Sequence, residues 1–462
     1  MKVATQSPPS TFVQRRRRLR ELMAQAGVDR AVIASGLPQP RNFAHNLYPF
    51  RASSHFLFLV GLPLEAAVLD IGPDHEALYR DPPDPQATLW TGPEPALDEL
   101  ADRLKLDVFP LEDLQPGADT ACTPPPDALS TWWLSELLDR ALEPAHGAPQ
   151  SEADARLAAA LIEVRLQHDA AALEQMRQAA AVTRRAHEAG MRALPACATE
   201  YEVLAVMEAE IRRAGMLSAY QPIVTCRGEV LHNESYENAL APGDLLLADV
   251  GAETREGWAA DVTRTSPVSG RFSPTQRDVY EVVLEAQRTA IEQVRPGVRY
   301  RDVHLSAMGT VTLGLRDLGI LRGSEEQLLR AGAASVFFPH GVGHLLGLDV
   351  HDMEDLGDAA GYPPGRQRDD SPATRYLRLD RDLSPGMVVT IEPGFYQVVG
   401  LLASARADAA LSASIDFDRL AEFSDVRGIR IEDDVLVTDD GPELLTGEVP
   451  KSVRDIEALC RQ

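Results

Sequence analysis

A chain of 462 residues is too long for one ordinary hydrophobic core, so two domains are expected. Hydrophobic residues make up 44% and charged residues 25%, a globular composition, and the formal net charge of −25 argues against nucleic acid or an anionic membrane as partner. Cys122, Cys197, Cys226 and Cys460 are scattered without a CxxC pair, which points to reduced thiols rather than disulfides or a zinc knot.

Along the chain, the N-terminal stretch MKVATQSPPSTFVQRRRRLRELM has no apolar run long enough for a signal peptide. The most apolar segment, 56–69, is broken by Gly61, Pro63 and Glu65, so no membrane span is expected and a cytoplasmic location is. Residues 11–27 read as a helix closed by Gly27, with Arg15–Arg18 on a solvated face. AVIAS, HFLFLVGL, AAVLDIG and EALYR read as strands between proline- and glycine-rich turns, giving a smaller α/β domain over residues 1–150. EPAHGAPQSEADA (143–155) is turn-prone and reads as a linker, leaving 156–462 as the second domain. A long helical region then runs from Ala155 to about Ala193, and another helix starts at Thr199, which could cap it. Further helices open with Ser273–Pro274 and near Tyr300. Strands and helices mix here without βαβ regularity, so the fold class is α+β.

Five residues of the second domain sit at strand ends or in glycine-rich turns: Asp249 in LLLADVG, Asp261 in WAADVTRT, His344 in FFPHGVGH, Glu392 in VVTIEPG and Glu432 in GIRIEDD. Four acids converging on one point would be costly to bury without cations, and two divalent ions would balance them. Oxygen-rich ligation of this kind favours manganese, magnesium, cobalt or iron over a thiolate-loving metal.

A hairpin turning near Arg255 and Gly257 would set Asp249 and Asp261 roughly opposite each other; the alternative is two exposed strand-end acids. His340 and His344 have helical spacing, but Pro339, Gly341 and Gly343 argue against a helix. His344 is the imidazole ligand expected, with His340 and His351 on the substrate side. Glu392 ends an apolar strand before Pro393–Gly394 turns the chain, so it is either a turn-proximal surface residue or a buried ligand. Arg430 and Glu432, two apart on a strand, share a face, where the arginine would orient the carboxylate or form a surface salt bridge.

In order and local sequence these segments resemble the pita-bread metallopeptidases: aminopeptidase P, prolidase and methionine aminopeptidase. PHGVGHLLGLDVHD (339–352) and GMVVTIEPGFY (386–396) carry the likeness most strongly. PFRASSHFLFLVGLPLEAAVL (49–69) and ATLWTGP (87–93) resemble the creatinase/prolidase-like N-terminal domain of aminopeptidase P and prolidase. The resemblance implies that Asp249 holds one metal, His344 and Glu392 the other, and that Asp261 and Glu432 bridge both. Manganese is then the first expectation, with cobalt, zinc or iron as alternatives. It further implies that Glu392 moves a proton, that His232, His340 and His351 face substrate, and that Tyr396 and Arg430 support them. The expected reaction is attack by a metal-bridging hydroxide on the amide bond between an N-terminal residue and a following proline. His340 would help stabilise the oxyanion, and the enzyme would be a homodimer or homotetramer. The long segment between Glu392 and Glu432 looks more like bacterial prolidase, so an Xaa-Pro dipeptidase is the alternative. A non-catalytic pita-bread binding protein would have lost the ligands.

Overall fold

The computed structural model describes residues 6–86, 88–117, 119–144 and 149–461; part of the expected linker, 145–148, lies outside them. Two compact units are present: Met1–Gln167 with Met353–Ala360, and His168–Asp352 with Gly361–Gln462. The helix Glu152–Arg165 therefore belongs to the first unit, whereas the sequence set the expected break at 150–156.

The first unit is built on a mixed five-stranded sheet, in the order Val108–Phe109, His75–Tyr79, Val68–Gly72, Ala31–Ala34, Ala121–Cys122. The outer two strands pair parallel to their neighbours and the inner ones antiparallel. Helix Pro9–Ala26 ends as expected, at a left-handed Gly27. Of the expected solvated face only Arg17 and Arg18 are exposed. Arg15 and Arg16 are buried; Arg16 donates to the carbonyls of Leu59 and Lys105 and pairs with Glu76, while Arg15 lies over the Phe58 ring. HFLFLV is a helix, Ser54–Val60, not a strand. All seven of its residues are buried, so periodicity carried no signal; the Ser53 cap, accepting from Phe56 N, and the left-handed Gly61 define it instead.

In the second unit every strand pairing among the described residues is antiparallel, as an α+β fold requires. The long helical region divides into Glu152–Arg165 and Ala170–Ala193, the latter restarted by the Asp169 cap. Thr199 precedes helix Glu200–Arg213 but its side chain makes no capping bond. Ser273 and Gln276 form a full capping box on helix Pro274–Gln293. Strand Leu245–Asp249 is buried along its length. Leu246 and Ala248 pack with Val203, Met207 and Ile211 of helix Glu200–Arg213, while Leu247 packs with Tyr396. Period-two alternation therefore carries Asp249 on the Leu247 side, away from the helices. All four cysteines are free.

Candidate metal centre

Strand register explains how the carboxylates meet. Leu245–Asp249 pairs with Thr263–Pro267 so that Asp249 faces Thr263, which places Asp261 diagonally rather than directly across. The expected opposition fails because the hairpin closes one residue later: Val250 N–H donates to Val262 O, Ala260 N–H donates to Ala252 O and Glu253 bridges Ala259, which centres the turn on Glu256. The second pair is more regular. Ile391 faces Asp433 and Gly394 faces Arg430, one residue before and two residues after Glu392 in the same register, so Glu392 and Glu432 oppose each other. The chain does not turn back at Pro393–Gly394; it runs on into the next short ladder, Gly394–Tyr396.

A cavity of about 540 Å³ is lined by Asp249, Asp261, His344, Glu392 and Glu432 together with His232, His340, His351 and Arg430. Ligand atoms of Asp261, His344 and Glu432 lie within 4.8 Å of one another, a grouping able to hold a metal ion. His344 Nδ1 donates to Leu345 O at 3.0 Å, leaving the Nε2 lone pair toward Asp261 (3.5 Å) and Glu392 (3.7 Å). Gly343 is required for this loop: a Cβ there would lie 2.2 Å from Thr390 O and 2.4 Å from the Tyr300 hydroxyl. Thr390 in turn accepts His344 N at its hydroxyl and donates its own N–H to His344 O.

The electrostatics are lopsided. Burial tends to raise Asp249, but Arg430, 2.6 Å away, outweighs it and the carboxylate sits below its ordinary range. Nothing comparable serves the others. Burial, then Asp249, lifts Asp261 to about 8. Burial also lifts Glu392 to about 7, and burial with Asp261 and Glu392 pushes Glu432 well up. The Tyr220 hydroxyl lies 2.5 Å from Asp249 and 2.6 Å from Asp261, and its single proton cannot serve both. Such a set accepts divalent cations readily: they supply the positive charge that the surrounding side chains do not.

Tyr396 is fully buried and does not line the cavity; Arg430 Nη1 donates to its hydroxyl (3.0 Å) and the hydroxyl donates to His340 Nε2 (2.9 Å). His340 Nδ1 then donates to Gly341 O at 2.8 Å, and burial, followed by Arg430, holds the ring neutral with a pKa of about 3. Burial and Arg430 lower His232 as well. The His344 and His351 rings stand 4.1 Å apart. Sequence reasoning missed Tyr220 and Thr263, whose hydroxyl donates to Glu432 at 2.7 Å and accepts from Arg430 Nε at 3.0 Å. It also missed Leu231, Leu401, Arg368, Tyr376 and Arg378 in the cavity wall. Thr263 was the one within reach, since it lies two residues beyond Asp261 on the same strand face.

Comparison with known proteins gives the same two-part division. Residues 174–439 match the model of metallopeptidase family M24, and residues 12–122 match the aminopeptidase P N-terminal domain. A probable Xaa-Pro aminopeptidase of Ajellomyces capsulatus is 33% identical over 424 residues, 89% of this chain and 87% of that one. The Xaa-Pro dipeptidase of Mus musculus is 39% identical over 297 residues, 62% of this chain and 58% of that one. The structure of aminopeptidase PepP from Pseudomonas aeruginosa superimposes with a TM-score of 0.77 at 30% identity, covering 99% of this chain and 98% of that one.

Proposed function

The chain belongs to metallopeptidase family M24, an aminopeptidase P-type N-terminal domain preceding a pita-bread catalytic domain, and from that premise we propose how it works on its substrate. It is an Xaa-Pro aminopeptidase, hydrolysing the amide bond between an N-terminal residue and a following proline. The observation that carries this reading is a cavity where three buried carboxylates, the half-buried Glu392 and one imidazole converge, in a chain similar over nearly its whole length to aminopeptidase P.

Asp249, Asp261, His344, Glu392 and Glu432 would hold two divalent cations, manganese first, with cobalt, zinc or iron as alternatives. Bound there, the ions supply Lewis acidity, making the attacking water more acidic and the scissile carbonyl more electrophilic. The protein's own groups do the rest. Glu392 takes a proton from the water and returns it to the prolyl nitrogen, which as a tertiary amide has no N–H and must be protonated to leave. Arg430 fixes Asp249 directly and the His340 ring through Tyr396. The ring edge that carries Nδ1–H lies 3.8 Å from Glu392, so it can turn from Gly341 O toward an oxyanion beside that carboxylate. His232 and His351 line the same cavity and contact the peptide.

No helix among the described residues is long and apolar enough to cross a membrane. The enzyme acts on peptides in the cytoplasm, as a homodimer or homotetramer. A second reading, Xaa-Pro dipeptidase, draws on the higher identity to the mouse enzyme over a shorter span. One assay separates them: manganese-loaded protein is given an Xaa-Pro dipeptide and an Xaa-Pro-Yaa tripeptide. Release of the first residue from the tripeptide is expected. Cleavage of the dipeptide alone makes the protein a dipeptidase, and undiminished turnover after exhaustive metal stripping overturns the metal-dependent reading.

A further inference from the structure

The helix Tyr300–Asp317 carries Tyr300 and His304 one turn apart on a single face, both fully buried and neither lining the cavity. The Tyr300 hydroxyl donates to Thr390 O at 2.7 Å, in the strand that leads into Glu392. His304 makes two bonds. Its Nδ1 accepts the N–H of Val342, midway between His340 and His344, at 3.1 Å. Its Nε2–H donates to Ala373 O at 2.6 Å. A backbone N–H can only donate and a carbonyl only accept, so these partners require the neutral ring with its proton on Nε2. Burial, which lowers the His304 pKa to about 4, keeps that form at neutral pH.

The two bonds lead to different parts of the cavity. Val342 O accepts the Glu392 N–H at 2.8 Å, so the loop bearing His340 and His344 is tied to the end of the Glu392 strand. Ala373 begins the short stretch that delivers Tyr376 and Arg378 to the cavity wall. An apolar side chain in place of His304 would fill the space yet leave the Val342 N–H and Ala373 O unpaired in a dry interior.

We propose that His304 is a positioning residue for peptide hydrolysis: one imidazole sets the His340–His344 loop against the wall segment carrying Tyr376 and Arg378. The inference deepens the peptidase reading and rests on it for its kinetic part. The Val342 bond governs the chemical step, because it orders the residues around the reacting carbonyl. The Ala373 bond governs substrate binding, because it orders the wall.

Two conservative variants separate the bonds. In His304→Asn the carboxamide oxygen stands near the Nδ1 position and keeps the Val342 bond; in His304→Gln the amide group stands near Nε2 and keeps the Ala373 bond. On an Xaa-Pro-Yaa peptide, His304→Gln is expected to lower kcat about tenfold with KM little changed, and His304→Asn to raise KM about fivefold with kcat little changed. Hydrogen exchange at the Val342 amide, read in metal-free protein without substrate, should accelerate in His304→Gln and not in His304→Asn. If both variants keep wild-type kcat and KM and lose only melting temperature, His304 is a core histidine and the proposal is wrong. Should neither variant fold, the wild-type protein decides: nitrogen NMR must show the Nε2–H tautomer at His304 and strong protection at Val342, and fast exchange there refutes it. A wild-type protein that cleaves no Xaa-Pro peptide defeats the peptidase reading, while the exchange experiment still judges His304 on its own.

Discussion

Glu432 and Asp433 are consecutive and both buried, yet the protein treats them in opposite ways. Asp433 meets Arg264 at 2.8 Å, Lys451 at 2.5 Å, Gln287 at 3.0 Å and Thr446 at 3.0 Å. Burial alone would raise it, but Arg264 and Lys451 hold it below its ordinary value. Among the described residues the Glu432 carboxylate accepts one side-chain hydrogen bond, from Thr263, and burial with its acidic neighbours drives it well up. One cluster is neutralised from within. The other leaves its charge to be answered from solution, and that difference separates a structural ion pair from a functional site.

The sharpest way to break this comparison is to neutralise the unanswered side. Asp261→Asn or Glu432→Gln should lower Xaa-Pro-Yaa hydrolysis on the order of a thousandfold, the scale seen when a group stabilising transition-state charge is lost. The metal-free melting temperature should hold steady or rise, since a repelled carboxylate is removed. Activity within tenfold of wild type would show that these acids do not hold the ions. Arg264→Met attacks the other cluster and leaves Lys451 as the one cation beside Asp433 among its hydrogen-bond partners, an expected loss of about 3–5 kcal/mol in folding stability by denaturant titration. A change below about 1 kcal/mol would mean that Lys451 suffices.

Proton linkage comes next in size. Asp261 at about 8 and Glu392 at about 7 stay protonated in the folded metal-free protein far above the pH at which they ionise when unfolded. A raised carboxyl stabilises the fold least at high pH: the folded state holds the extra proton from about pH 4 upward, and stability falls until each folded pKa is passed. Metal binding must displace those protons, so manganese titration near pH 6.5 should release protons. Calorimetry in buffers of different ionisation enthalpy reads this directly, and binding without release at pH 6.5 would contradict it. Asp433 carries the opposite sign, its contribution being present above its unfolded pKa and lost as pH falls below it. The smallest effect expected is that of Thr263→Val, which removes one donor to Glu432 and one acceptor for Arg430. It should cost about 1 kcal/mol in stability by thermal melting, with activity reduced about tenfold in steady-state kinetics.

Segments that could be read locally were read well. Gly27 as a helix stop, Ser273–Pro274 as a helix start and the glycine-rich PHGVGH loop each express a backbone rule contained in a few neighbouring residues. Helix Ser54–Val60 escaped because burial on every side erases the period that distinguishes helix from strand. Arg15 and Arg16 escaped because their partners, Phe58, Leu59 and Glu76, lie more than forty residues away. Tyr220 reaches Asp249 and Asp261 through tertiary packing, and no spacing in the chain announces it.

By itself the sequence determined which acids and which histidines could form the centre, because strand ends and glycine turns are local properties of the chain. Only the tertiary structure decided how they meet: Asp249 and Asp261 on a diagonal, Glu392 directly across from Glu432. It alone decided that Arg430 neutralises Asp249, and that the Tyr396 hydroxyl bonds to His340. The physical reason is common to all of these. Register and burial are set by contacts between distant segments, and a buried charge takes its meaning from the partner packed against it.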